Sequence, residues 1–335
     1  MTSPYHGVYV ARARGVASEV MLSSGAKIPQ LGFGTYRIEP NAVDSAVRCA
    51  LDNGFRHFDC APVYRNQPEV GKALASAKKV SRDQLFITSK LWCTDQHPDR
   101  VEKACRRNLE ELRVDYLDLL LLHWPICWKH PVGREYKTLD DYYPSDEGGA
   151  LVDPEVTIRD TWKAMEGLVG KGLVKSIGVC NCSAQDLDFL MESTEIDPVT
   201  NQIERHPGLQ QLPLHGKNTR LGIITSAYSP LGAPTRFTSP DFRGVYNHSF
   251  FTPLCELHGF SPARLLLNWA LDFGSVVIVK AENEKHIIEN AKAQRGAIPD
   301  TTRWMMNNFE DAVGTIRVMN PDNFLRPKGK RFFGQ

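Results

Sequence analysis

"VEKACRRNLEELRVDYLDLLLLHWP", residues 101 to 125, changes its period once along its length. Val101, Cys105, Leu109 and Leu112 fall at steps of three and four, the spacing of one helical face. From Tyr116 to His123 the apolar residues then run almost unbroken, as they do in a parallel strand covered on both sides. A helix leading into a buried strand is half of a βαβ unit, and the same alternation recurs along the chain. Strand-like runs lie at 30–35, 55–59, 84–90, 116–123, 173–179, 199–204, 221–228 and 276–280. A second helical face, Ile158, Trp162, Met165 and Val169, follows Asp153, the expected N-cap ahead of Pro154. Eight such units predict the α/β class and a closed (β/α)8 TIM barrel. The competing open, doubly wound sheet normally carries GxGxxG directly after a strand. "GLVGKG" at 167–172 has its glycines in another order and at a helix end, so the barrel is preferred.

The flanking segments extend this scheme. "VMLSSGAKIP" (20–29) reads as an N-terminal β-hairpin with Gly25 in the turn, closing the bottom of the barrel. Residues 129–151 show no period and are too long for a simple connector, so they are expected to form a loop over the face where the fourth strand ends, either a lid or a surface insertion with no role. Residues 1–19 read as a disordered extension, and residues 20–335 as a single barrel domain with long loops at its carboxyl face.

Composition narrows the function. With 40 Lys and Arg against 39 Asp and Glu, the formal charge of +1 offers no field to draw nucleic acid or an acidic membrane. A small partner is expected, acting on a monomer. The eight cysteines form no CxxC pair and no secretory signal is read, which suits free thiols in the cytoplasm. The longest apolar runs fall short of the roughly 18 residues a membrane helix needs. Cys255 and His258 have no second pair to complete a metal site, so no metal is assigned.

In a barrel, chemistry sits at the carboxyl ends of the strands. The second strand ends at Asp59, the third at Lys90 and the fourth at His123, and Tyr64 follows Asp59 closely enough to lean over the same mouth. A phenol titrates near pH 10 in water (about 10) and needs a nearby cation to become a usable acid. Lys90, fixed by Asp59, is the candidate, and a lowering of about two units corresponds to roughly 2.7 kcal/mol. His123 can place a carbonyl by donating from one ring nitrogen while a neighbour holds the other. Rival readings are a cofactor-binding protein without catalysis, and a hydrolase with paired carboxylates. The hydrolase is disfavoured because Asp59 expects a lysine for its partner.

The runs "GFRHFDCAPVYRNQPEVGKAL" (54–74), "ITSKLWCT" (87–94), "LLLLHWP" (119–125), "KSIGVCN" (175–181), "NQIERHP" (201–207) and "AYSPLG" (227–232) resemble, in order, the aldo-keto reductases, and "KLWCT" and "HWP" their aldose and aldehyde reductase branch. The resemblance implies a (β/α)8 barrel that binds NADPH without a Rossmann fold and reduces aldehydes and ketones. It makes Tyr64 the general acid, Asp59 and Lys90 its tuning pair, and His123 the carbonyl-orienting donor. It also implies that Asn181 and Gln202 hold the carboxamide and that Tyr228 stacks on the nicotinamide. Ser229 and Leu231 would lie along the pyrophosphate, Thr35 and Tyr36 beside the ribose. Cys180 stands where the family has serine, and a thiol is the weaker donor. At the adenine end Lys280, Glu289 and Asn290 match the pattern, while Ala281 and His286 replace a serine and an arginine. Histidine is a poorer phosphate ligand than arginine, and Glu282 adds a carboxylate that could accept from a ribose hydroxyl. The expected cofactor is therefore NADPH with NADH also accepted. Trp92, Trp124 and Trp128 are expected to wall an apolar substrate site, and Trp304 with the tail at 317–324 to complete it.

Overall fold

The computed structural model describes residues 19–130, 136, 139–146, 149–232 and 244–319. Its strands, in chain order, are β1 (Glu19–Met21), β2 (Lys27–Pro29), β3 (Leu31–Gly34), β4 (His57–Asp59), β5 (Phe86–Leu91), β6 (Leu119–Leu122), β7 (Ser145–Asp146), β8 (Gly149–Ala150), β9 (Ile177–Cys180), β10 (Thr200–Glu204), β11 (Ile224–Tyr228) and β12 (Val276–Val279). Eight of them, β3 to β6 and β9 to β12, close into a parallel barrel, with β12 returning to β3 through Val277 opposite Leu31. Each of the eight expected runs contains or overlaps one barrel strand. The ends differ where a turn intervenes: Gln84 belongs to a short turn capped by Ser81, and Gly222, at φ 72°, turns the chain before β11.

Period-two alternation decides what enters the lumen. In β5, Phe86 faces inward, Thr88 bonds the lumen's His57 and Lys90 its Asp59, while Ile87 and Leu91 face the helical layer. In β6, Leu119 and Leu121 point in and Leu120 and Leu122 point out. The parity carries the next inward position to His123 at the rim. The lower lumen is apolar: Phe86, Leu119, Val199 and Val276 pack on Leu22 and Ile28 of the hairpin. The hairpin pairs β1 with β2, Val20 opposite Ile28, around Gly25 at φ 83°. It plugs the amino-terminal end, leaving the carboxyl mouth for ligands. Gly32 is required low in the barrel, where a Cβ would lie 2.6 Å from Ile278 Cδ1 and 2.7 Å from His57 Nδ1.

Outside, the helix Pro98–Leu112 buries Val101, Cys105, Leu109 and Leu112, the face read from the sequence. The helix Ile158–Gly170 buries Trp162 and Met165 but starts later than expected. Its N-cap is Thr157, in a capping box with Asp160, and not Asp153, which accepts from the backbone of Glu155 in the preceding turn. A Thr three residues before an acid satisfies two terminal N–H groups at once, which a lone Asp before proline does not. Within 129–151, residues 131–135, 137–138 and 147–148 lie outside the described residues, and those described include a helical turn, Leu139–Tyr142, and the paired strands β7 and β8. Residues 1–18 lie outside the described residues.

Candidate active site

The inward parities of β4, β5 and β10 bring three polar groups to one point. Lys90 Nζ donates to Asp59 Oδ1 at 2.5 Å and to the Cys60 carbonyl at 3.1 Å; Gln202 Nε2 donates to Asp59 Oδ2 at 2.8 Å. Both carboxylate oxygens are thus engaged, and Asp59 and Lys90 are almost wholly inaccessible to solvent. Thr35 secures the backbone here, its hydroxyl donating to the Asp59 carbonyl at 2.9 Å. Such a pair is tolerated in a dry interior because every oxygen of the acid has a donor.

Tyr64 leans over this cluster from a short 3-10 turn, Pro62–Tyr64, that ends in Arg65 at φ 59°. The Lys90 ammonium lies 5.0 Å from the centre of its ring. The phenol is nevertheless pushed well above its ordinary value, first by burial and then by the Asp59 carboxylate. This reverses the lowering expected from the sequence. The hydrogen bonds given to the ammonium run to Asp59 and Cys60, and burial with the Asp59 charge sets the resting direction of the phenol.

His123 lies beside the ring of Tyr64, centroids 6.0 Å apart, and against Trp92 at 4.9 Å, both edge to face. Burial, then the charge of Lys90, hold its imidazole well below the usual histidine range, so it is neutral. Its buried Nδ1 has no hydrogen-bond partner among the described residues, contrary to the expectation that a neighbour would hold it. Two aromatic rings orient the imidazole instead.

The surrounding wall is aromatic. Trp92 donates from Nε1 to the Tyr142 carbonyl at 2.6 Å and contacts Trp128 at 5.7 Å and Tyr143 at 5.3 Å. Tyr136 donates to Asp95 at 2.8 Å, bonds Thr94 at 2.6 Å and stacks on Tyr142. Tyr142 and Tyr143 are therefore held against Trp92 and Trp128, with Tyr136 stacked behind Tyr142. Trp124 joins the same apolar cluster and also borders a cavity of about 240 Å³, together with Asn181, Glu204, Tyr228, Arg317 and Met319. Trp304 does not join it; it stands 67% exposed on the helix Asp300–Asn307, because its neighbours Thr302 and Met306 take the buried face. Of the tail, residues 320–324 lie outside the described residues.

Asn181, at φ 59°, donates to the His123 carbonyl at 3.0 Å and accepts from the Tyr228 hydroxyl at 2.8 Å. Ser229 is also left-handed, at φ 50°. Non-glycine residues in that region often mark functional sites; Asn181 borders the cavity, Arg65 directly follows Tyr64 and Ser229 directly follows Tyr228. Gln202 Oε1 meets the Cys180 thiol only at 3.8 Å, which leaves an acceptor for an amide N–H, and the second hydrogen of its Nε2 can donate; Asn181 adds an acceptor at Oδ1, its NH2 being bonded to the His123 carbonyl at 3.0 Å and to the Cys180 sulfur at 3.1 Å. A carboxamide fits that donor set. Tyr36, 37% exposed, meets the Tyr64 ring at 5.0 Å, and Leu231 is half-buried at the same rim.

Farther out, Lys280 is paired with Glu282, both more than a third exposed, and His286 is exposed. Ala281 and Asn290 are buried. Glu289 accepts from Lys292 at 2.9 Å and from Ser261 at 2.8 Å, and the Lys292 bond leads the effects that hold its carboxyl below the ordinary range. Sequence reasoning did not single out Glu204, whose side chain is wholly buried beside the mouth. The signal was present: it is the inward position two residues after Gln202 in β10.

Fold and site together define a barrel enzyme with a buried acid–base cluster at its carboxyl mouth. Residues 30–302 match the profile of the Aldo/keto reductase family. The chain is 39% identical over 279 residues to aldo-keto reductase family 1 member A1 of Mus musculus, covering 82% of this chain and 83% of that one. The Homo sapiens protein of the same name is 38% identical over 281 residues, covering 82% and 84%. Among solved structures, an aldose reductase of Schistosoma japonicum superposes with a TM-score of 0.82 at 33% identity, covering 94% of this chain and 99% of its own. An aldo-keto reductase of Bombyx mori in complex with NADP gives 0.78 at 31%, covering 88% and 93%. The chain belongs to the aldo/keto reductase family and is an oxidoreductase.

Proposed function

We propose that this protein reduces aldehydes and ketones, aromatic and medium-chain aldehydes foremost, to alcohols with NADPH. The observation that carries the reading is the Asp59–Lys90–Gln202 cluster, bonded at 2.5 and 2.8 Å directly beneath Tyr64 and beside a neutral His123. NADPH, when bound, supplies the hydride. Asn181 and Gln202 would hold its carboxamide, and Tyr228 its ring. Ser229 and Leu231 would line its pyrophosphate, with Thr35 and Tyr36 near the ribose, and Lys280, Glu282, Glu289 and Asn290 would meet its adenosine end.

His123, neutral, donates a hydrogen bond to the substrate oxygen and sets the carbonyl against the mouth without protonating it. Tyr64 is fully protonated at rest, the form a general acid needs. As negative charge builds on the substrate oxygen, Tyr64 gives up its proton, and the ammonium 5.0 Å from its ring stabilises the phenolate left behind. Asp59 holds that ammonium in register, and Gln202 holds Asp59. Trp92, Trp124 and Trp128 exclude water and favour apolar substrates. We place this activity in a monomer in the cytoplasm.

The test is consumption of NADPH with a substituted benzaldehyde, followed by product analysis. Stoichiometric alcohol is expected. NADPH binding with no turnover over a panel of aldehydes, aldoses and ketones would overturn the reading in favour of a non-catalytic cofactor binder.

A further inference from the structure

We propose that Glu204 is a positioning residue that latches the carboxyl-terminal tail across the barrel mouth and so determines which aldehydes the pocket admits; this rests on the carbonyl-reductase reading above. Glu204 ends β10, two positions beyond Gln202 and on the same inward parity. Its buried carboxylate receives three donors. The backbone N–H of Val318 reaches Oε1 at 2.6 Å, that of Met319 reaches Oε2 at 2.7 Å, and His206 Nε2 lies 3.0 Å from Oε1.

Ile316 donates from its backbone to the Gly208 carbonyl at 2.7 Å and packs against Gly208, where a Cβ would meet the isoleucine at 3.2 Å. Past that point the chain turns onto Glu204. The consequence for the pocket is direct, because Met319 and Arg317 border the cavity that Trp124, Asn181 and Tyr228 form from the barrel side. Met319 also packs on the aromatic cluster of Trp92, Trp124 and Trp128. One buried carboxylate thus joins the rim of the cofactor side to the wall of the substrate side.

Only a carboxylate can take donors on both oxygens. A glutamine would turn its NH2 toward one of the two backbone N–H groups and lose that bond. Glu204→Gln should therefore free the tail while leaving Asp59, Lys90 and Gln202 in place. We expect amide exchange across 315–319 to rise at least about tenfold with the barrel strands unchanged, one broken bond being a step of that order. The KM for a bulky aromatic aldehyde should rise about fivefold, while kcat and the KM for a short aldehyde stay within about twofold. Glu204→Asp, which keeps both oxygens, should restore part of the protection. Met319→Ala should raise the bulky-substrate KM without changing exchange.

Unchanged exchange at 315–319 in Glu204→Gln overturns the latch, as does a rise of equal size throughout the barrel. Bulky and short aldehydes losing affinity together would overturn its role in selection. Exchange is read on protein without substrate, so an inactive parent would defeat the proposed activity and still leave the latch decided.

Discussion

Two lysine–carboxylate pairs stand at the carboxyl mouth of this barrel, and they differ in solvent rather than in chemistry. Lys90 and Asp59 have side chains 0% and 3% exposed, with Gln202 and the Cys60 carbonyl completing their shells. Lys280 and Glu282 are each 37% exposed and rest on one another at the outer rim. In the lumen the charges are screened weakly, so geometry must be complete and removal of any member is felt throughout the site. At the rim water and salt screen the pair, and its members can change with small effect on the fold. A buried pair is the place for chemistry that must not vary. An exposed pair is the place where selectivity can drift.

The comparison breaks if the inner pair proves dispensable. Under the proposed mechanism Tyr64→Phe removes the proton donor, and kcat should fall by about 10² to 10⁴ with NADPH affinity unchanged. Pre-steady-state turnover and a fluorescence titration of the dinucleotide check the two halves. Lys90→Met leaves Asp59 buried with one donor gone. It should lower unfolding stability by about 3 to 5 kcal/mol, whereas Lys280→Met at the rim should shift it by no more than about 0.5 kcal/mol. Denaturant midpoints measured side by side decide between them, and equal shifts would remove the distinction.

The same division governs what the sequence discloses. The barrel is legible because its signal is repeated: each strand is an apolar run, and each helix shows a three-and-four spacing that the packed face of Pro98–Leu112 repeats residue for residue. Asp59, Lys90 and His123 are legible as a group because strand parity and strand ends determine where they point. What the sequence hides are effects of the assembled environment. The direction of the Tyr64 shift is set first by the burial of its phenol in the assembled mouth and then by the Asp59 carboxylate. The Gln202 bond to Asp59 and the Glu204 bonds to the tail join segments far apart in the chain, which local pattern cannot reveal. The positions of Tyr136 and Tyr142 are hidden for a related reason, since they depend on partners far back in the chain, Asp95 and Trp92.

Acid titration sharpens the contrast from the side of the lumen. His57 sits below the pair, bonded to Thr88 at 3.0 Å, and burial pushes its imidazole down to about 4. In the unfolded chain the same group binds its proton near pH 6.5. Between those values the unfolded state holds more protons than the folded one, so stability is full above pH 6.5, declines as pH falls, and levels off below about 4. The shift corresponds to about 3 kcal/mol. His215, pushed to about 3 by burial and then by Arg205, acts in the same direction. Unfolding followed from pH 7.5 to 4 should show this loss, and His57→Gln should flatten part of it; a profile unaltered by that substitution would place the acid sensitivity elsewhere.

The smallest expected effect lies at the rim. Glu282 matches the charge of Lys280, and if the proposed adenosine end of NADPH binds there its carboxylate would oppose a phosphate and suit a ribose hydroxyl. Glu282→Gln frees the ammonium without altering its reach, so NADPH should bind up to about tenfold more tightly, or about 1.4 kcal/mol, while NADH affinity stays constant. The gain should shrink as salt is raised, because the site is exposed and its charges are screened within about 10 Å at 0.1 M. Titration of both dinucleotides at low and high ionic strength reads all three expectations at once. Equal gains for NADPH and NADH would show that the carboxylate acts on the fold of the rim and not on the phosphate. A gain indifferent to salt would mean that the outer pair is drier than its exposure suggests, and would erase the difference between the two pairs.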